Sequence, residues 1–334
     1  MRIKRYCHGV QLSRLISLTV AGVVAAAGVT GCAAAASAGH VAAARRPAPA
    51  AGPPVTPSAQ AAAADELQPL QEATAPRKVQ AKAAALADVG TMRLLWSRQL
   101  NTELPMGSIT KVMTALLVIR AGRLNRQIRI PRAVLGYVAK YGGESAGLHP
   151  GDTLTAEELL EALLVESGCD AAYTLATYYG PGIPAFLAKM NAMAAQLGMT
   201  QTHFTSPDGL PYPTEYSTYS TPADLLKLGI AAMKSAVFQS IVRQSFYHLA
   251  KTRKHHSYWW DNDNGLIGSY RGAEGIKTGY TDAAKHCLLF EAVRHGTTLI
   301  GVVLGSPVTG PDAAAQAAAR MLNWGFGLSP GASS

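Results

Sequence analysis

Strand-like segments stand at both ends of the patterned part of this chain, and helix-like segments fill its middle. AALADV and MRLLWSRQ, residues 84–89 and 92–99, flank Gly90-Thr91 and read as a β-hairpin. At the other end, GAEGIKTGYT (272–281) reads as a strand, and KHCLLFEAVR and TTLIGVVLG read as a second hairpin around His295-Gly296. Two strands early and three late predict one antiparallel five-stranded sheet assembled from both chain ends. The fold class expected is α/β in the α+β sense, with helices flanking the sheet and a helical insert over about residues 108–250.

The insert carries helical spacing. SITKVMTALLVIRAG runs from Ser108 to Gly122, whose glycine is a helix stop. After a glycine-rich loop, YGGESAGLHPGDT, the segment TAEELLEALLVE opens with Thr155 and Glu158 at capping-box spacing. Further helices are expected at about 169–179, 184–197 and 221–235. PDAAAQAAARMLNWG predicts the closing helix, and residues 328–334 read as a tail.

The first thirty residues do not belong to this core. Arg2, Lys4, Arg5 and Arg14 precede an apolar run of small residues from Leu15 to Gly31, the layout of an export signal. The run ends Val29-Thr30-Gly31-Cys32, which resembles a bacterial lipobox with Cys32 as the lipidated residue of the mature protein. Ordinary cleavage after one of alanines 33–36 is the alternative. Residues 33–80 are rich in Ala and Pro and poor in large apolar side chains, so they read as a disordered tether.

The net charge of +9 includes the leader's four basic residues, and no dense Lys/Arg block with interleaved aromatics occurs. That argues against nucleic acid. Beyond the leader the conspicuous cysteines are Cys169 and Cys287, too few for a disulfide framework and not in a CxxC pair. Whether the two pair is left open by the sequence. His255 and His256 are adjacent, and no third ligand stands at metal-like spacing.

Three short stretches carry chemistry. Ser108 and Lys111 lie one helical turn apart, and a lysine amine there can take the proton of a serine nucleophile. Lys277-Thr278-Gly279 puts a cation and a hydroxyl beside a glycine, which suits a carboxylate-bearing substrate. Ser167-Gly168-Cys169 lies between two apolar helical stretches. Each is weak alone. In this order and in an exported chain, they resemble the signature of penicillin-binding proteins and serine β-lactamases, and most of all the low-molecular-mass D-alanyl-D-alanine carboxypeptidases. The resemblance covers roughly residues 84–327. It includes PMGSITKVMTALL, GLHPGDTLTAEELLEALLVESG, MNAMAAQLGMTQTHFTSPDGL, STPADLLKL, GIKTGYT, LIGVVLG and MLNWGFG.

The resemblance implies a β-lactamase/DD-peptidase-like catalytic domain over 84–327. It further implies a serine hydrolase that trims the terminal D-alanine from peptidoglycan stem peptides through an acyl-enzyme, and that β-lactams inhibit covalently. Ser108 would be the nucleophile, Lys111 its base and Ser167 the proton relay. Lys277, Thr278 and Gly279 would hold the substrate carboxylate, and backbone N–H groups of Ser108 and Tyr280 would form the oxyanion hole. No metal or organic cofactor is implied. The protein would work outside the cytoplasmic membrane, held there by the N-terminal lipid.

Two departures stand out. The family's second motif normally ends in asparagine, which contacts the lysine and the substrate amide; Cys169 is a weaker hydrogen-bond partner. An arginine often found ten residues before the closing Trp-Gly-Phe falls here on Ala314. The rival readings are a β-lactamase, a transpeptidase and a catalytically impaired wall-binding homologue. A β-lactamase usually needs a glutamate-bearing loop; Glu166 precedes Ser167 without such a motif and reads as an exposed helix-end charge. A cysteine hydrolase on Cys169 lacks any accompanying histidine signature.

Overall fold

The computed structural model describes residues 68–69, 75–307 and 312–328. The chain order is β1 (Gln68–Pro69), β2 (Ala83–Asp88), β3 (Arg93–Arg98), α1 (Lys111–Ala121), β4 (Gln127–Arg129), α2 (Ala133–Tyr141), β5 (Thr153–Thr155), α3 (Ala156–Leu164) and α4 (Cys169–Tyr179). It continues α5 (Ile183–Gln196), α6 (Pro222–Met233), α7 (Ala236–Val242), β6 (Phe246–Leu249), β7 (Tyr258–Asp261), β8 (Ala273–Gly279), β9 (His286–Arg294), β10 (Thr297–Ser306) and α8 (Ala313–Gly327).

The large sheet runs β3-β2-β10-β9-β8, all antiparallel, with the two-residue β1 added in parallel beside β3. The last hairpin therefore inserts between the first hairpin and β8. β2 and β10 pair from Leu299 opposite Asp88 to Leu304 opposite Ala83, so the two chain ends meet at the centre of the sheet.

Side-chain alternation divides the core. Along β2, Ala83, Ala85 and Ala87 pack among the middle helices, while Ala84 and Leu86 face α8. Along β9, Cys287 and Leu289 face the middle helices, and Leu288, Phe290 and Ala292 face α8. The alanine-rich stripe of α8 lets that helix lie close on the sheet, where Met321 and Leu322 are fully buried. Opposite it, α1 is surrounded by the other middle helices, and Val112, Met113 and Ala115 are fully buried.

Several expectations need correction. The tether was expected to reach residue 80, yet residues 68–69 pair with β3, and Val79 is buried against α8. Arg98 Nη1 and Arg320 Nη1 tie this segment down by donating to the carbonyls of Val79 and Lys78. The helix placed from Ser108 begins as a 3-10 turn over Gly107–Thr110 and becomes α-helical only at Lys111. The sequence reading also passed over α2, α7 and the small hairpins β4–β5 and β6–β7. The leader, Cys32 and residues 33–67 lie outside the described residues.

Candidate active site

Lys111 is the centre of a buried polar cluster. Its Nζ lies 2.7 Å from Ser108 Oγ, 3.5 Å from Ser167 Oγ, 3.4 Å from Cys169 Sγ and 3.2 Å from the Asp208 carbonyl. The 3-10 turn brings i and i+3 side chains into near eclipse, so Ser108 and Lys111 meet more directly than in an α-helix. Lys111 itself is fully buried.

Ser167 enters from the four-residue junction between α3 and α4. The Thr155–Glu158 capping box fixes the start of α3, with both reciprocal bonds formed. At the junction Ser167 adopts φ 66°, in the left-handed region that non-glycine residues seldom enter. The residue is 5 % exposed, and its constrained backbone is what turns the hydroxyl toward Lys111. Glu166, expected as an exposed charge, is half-buried; its Oε2 accepts from the Asp261 N–H at 2.9 Å.

Lys277 approaches from the edge strand β8. It is 2 % exposed, and its Nζ donates to Thr278 Oγ1 at 3.2 Å. Burial, and then the Lys111 charge, push its ammonium down to about 7.

Two glycines let β8 and the 3-10 turn come together. A Cβ on Gly279 would sit 2.3 Å from the Met106 carbonyl oxygen and 3.2 Å from Ser108 N. A Cβ on Gly107, whose φ is +54°, would sit 2.7 Å from Tyr280 N. The backbone nitrogens of Ser108 and Tyr280 thus both border the seam between β8 and the 3-10 turn.

Burial pushes the Cys169 thiol up to about 12, and the nearby Lys111 charge offsets only part of that. It is a neutral donor or acceptor rather than a nucleophile. Cys287 is also buried, and the two cysteines are unpaired thiols. Ala314 is buried in α8 and brings no cation to the site. His256 pairs with Asp152 instead of joining the cluster.

Sequence reasoning missed two carboxylates. Asp170, 2 % exposed, accepts from Ser145 Oγ and from the N–H groups of Ala146 and Leu148. It thereby folds the 144–148 loop over the start of α4. Asp208 accepts from Tyr137 Oη at 2.8 Å and from the Leu210 N–H, which holds its carbonyl on Lys111. An acidic residue in the first turn of a helix was the only available signal for Asp170.

The family model for D-alanyl-D-alanine carboxypeptidases matches residues 70–308. A D-alanyl-D-alanine carboxypeptidase of Streptomyces sp. (strain K15) is 39% identical over 251 residues, covering 72% of this chain and 84% of that protein. The D-alanyl-D-alanine carboxypeptidase DacB2 of Mycobacterium tuberculosis is 37% identical over 260 residues, covering 74% and 83%. The crystal structure of the Streptomyces K15 DD-transpeptidase superposes with a TM-score of 0.72 at 37% identity, over 76% of this chain and 100% of that one. Solved variants of that protein replace a serine by alanine and a cysteine by asparagine, two positions apart as Ser167 and Cys169 are.

Proposed function

The chain belongs to the D-alanyl-D-alanine carboxypeptidase family and is a serine-type hydrolase of the penicillin-binding superfamily, and on that premise we propose how its residues divide the work. Its substrate is the D-Ala-D-Ala end of a peptidoglycan stem peptide, and β-lactams bind in the same place.

The observation that carries the reading is the 2.7 Å contact between Lys111 Nζ and Ser108 Oγ inside a buried site. Lys111 takes the Ser108 proton as Oγ attacks the penultimate D-alanine carbonyl. The developing oxyanion rests between the N–H groups of Ser108 and Tyr280. Ser167, in reach of Lys111, passes the proton to the departing D-alanine nitrogen. Lys277 and Thr278 hold the terminal carboxylate, and Gly279 keeps the wall low enough for the substrate backbone. Cys169 fills the asparagine position as a buried neutral group. Water then attacks the acyl-enzyme, with the same groups working in reverse.

Release of D-alanine from a pentapeptide ending in D-Ala-D-Ala tests this. The wild type releases it, and Ser108→Ala lowers the rate to background; undiminished release by that variant would overturn the assignment. A transpeptidase reading has one observation in its favour: the structural relative is named a DD-transpeptidase. Adding an amine acceptor to the same assay measures how the acyl-enzyme partitions.

Members of the family work on the cell wall, outside the cytoplasm. Among the described residues no single helix is long and apolar enough to cross a membrane. We propose a signal and lipobox over 1–32, cleaved before Cys32, and attachment through lipidated Cys32, supported by the basic leader, the apolar run and Val29-Thr30-Gly31-Cys32. The intact mass of the mature protein tests it: a diacylglyceryl-modified N-terminus at Cys32 is expected, and an unmodified one after residue 33 or beyond contradicts it.

A further inference from the structure

The ribbon β6–β7 has two unlike faces. Tyr247, Leu249, Tyr258 and Trp260 turn inward, and Trp260 Nε1 donates to the Ala146 carbonyl at 2.9 Å, pinning the ribbon to the loop beside Cys169. Phe246, His248, Trp259 and Asp261 turn outward, as strand alternation requires. Phe246 and Trp259 are 50% and 58% exposed. Their rings are stacked, with centroids 5.0 Å apart and planes within 4°.

Polar groups fix this pair at its rim. Trp259 Nε1 donates to Asp261 Oδ1 at 3.2 Å, the His248 ring lies 5.0 Å from that of Trp259, and His248 Nε2 is 3.2 Å from Ser257 Oγ. Isolated surface hydrophobes need no explanation, but two stacked aromatic rings with a hydrogen-bonding border form a patch suited to a ligand.

The patch adjoins the catalytic cleft. The Asp261 N–H bonds Glu166, the neighbour of Ser167, and the Asp263 carboxylate is near enough to act on the Lys277 ammonium. Trp259 is two residues from Asp261 along an extended strand, about 7 Å.

We propose that Phe246 and Trp259, rimmed by His248, Ser257 and Asp261, form a saccharide platform that binds an amino sugar of the glycan strand carrying the stem peptide. A pyranose offers a face of C–H groups that packs on an aromatic ring, while its hydroxyl and N-acetyl groups seek partners at the ring edge. The exposed rings supply the first, and Asp261, His248 and Ser257 supply the second. An aliphatic peptide segment would use the rings and leave the rim idle. The proposal rests on the carboxypeptidase reading, whose peptide substrate is one arm of a polymer with a sugar backbone.

Steady-state kinetics on two substrates test it: the free pentapeptide, and the same peptide attached to an N-acetylglucosamine–N-acetylmuramic acid disaccharide. The wild type should show the lower KM on the glycosylated substrate. Trp259→Ala and Phe246→Ala should raise that KM about tenfold at unchanged kcat, and shift the free-peptide KM less than about twofold. Trp259→Phe, which keeps a stacked ring, should recover most of the difference. Labelling by a fluorescent penicillin at the wild-type rate certifies each variant as folded. If the alanine variants fail to label, Asp261→Ala, which removes one rim carboxylate and leaves the rings, must show the same split. Equal KM values for the two substrates in the wild type, or equal losses on both in the variants, overturn the platform alone. Failure of the wild type to release D-alanine from either substrate overturns the carboxypeptidase reading instead.

Discussion

Lys111 reaches Ser108, Ser167, Cys169 and the Asp208 carbonyl from a single nitrogen, so the proton transfers proposed above would all pass through one fully buried side chain. Cys169 contributes a weak hydrogen bond to that nitrogen, and its raised pKa removes it as a rival nucleophile. Cys169→Asn therefore should keep the rate of acylation by a β-lactam within about tenfold of wild type. A collapse beyond a hundredfold, in a protein of unchanged circular dichroism, would assign the thiol a specific task. Lys277 gives a pH dependence whose sign is fixed by its downward shift. Its ammonium persists below about 7 and is lost as pH rises through that value. The grip on the carboxylate weakens above neutrality, so kcat/KM for acylation by a carboxylate-bearing β-lactam should fall relative to that for its methyl ester. A ratio independent of pH from 6 to 9 would contradict this. The sequence motifs singled out Ser108, Lys111 and Ser167, and the structure brings these three side chains together. Asp170 and Asp208 were not legible there, because they act by folding loops whose partners, such as Ala146 and Tyr137, are distant in the chain.

At the scale of elements, the site is a seam between a 3-10 turn and an edge strand. The close approach of Gly279 to the Met106 carbonyl leaves no room for a methyl group. Gly279→Ala should force β8 away from Ser108 and lower acylation by a β-lactam about a hundredfold or more, as loss of an oxyanion donor does. A rate within threefold of wild type would show that the seam can open without cost. The helices with caps or clear periodicity were legible, among them α3, whose capping box is formed as Thr155 and Glu158 foretold. The β6–β7 hairpin was not. Its turn is the charged stretch KTRKHH, and its outward face carries Phe246 and Trp259 where a solvent-facing strand normally shows polar side chains. β4 and β5 have three residues each, too few for alternation to register.

For the molecule as a whole, the strand-helix-strand order of the sequence already implied a sheet closed from both ends, and β2 against β10 realises it. The depth of the ordered region was harder to read, because Val79 is a lone apolar residue in an Ala/Pro-rich run and becomes buried only when α8 arrives 230 or more residues later. That closure matters for catalysis. It sets β8 on the sheet edge, against the 3-10 turn that carries Ser108, so the proposed nucleophile and the proposed carboxylate site come from different ends of the domain. The proposed reaction runs through an acyl-enzyme at one serine. The most direct test is mass spectrometry of the protein after brief exposure to benzylpenicillin, followed by proteolysis. One covalent adduct is expected, on the peptide containing Ser108, absent from Ser108→Ala and diminished in Lys111→Ala. An adduct on any other residue, or undiminished modification of Ser108→Ala, would contradict that reaction.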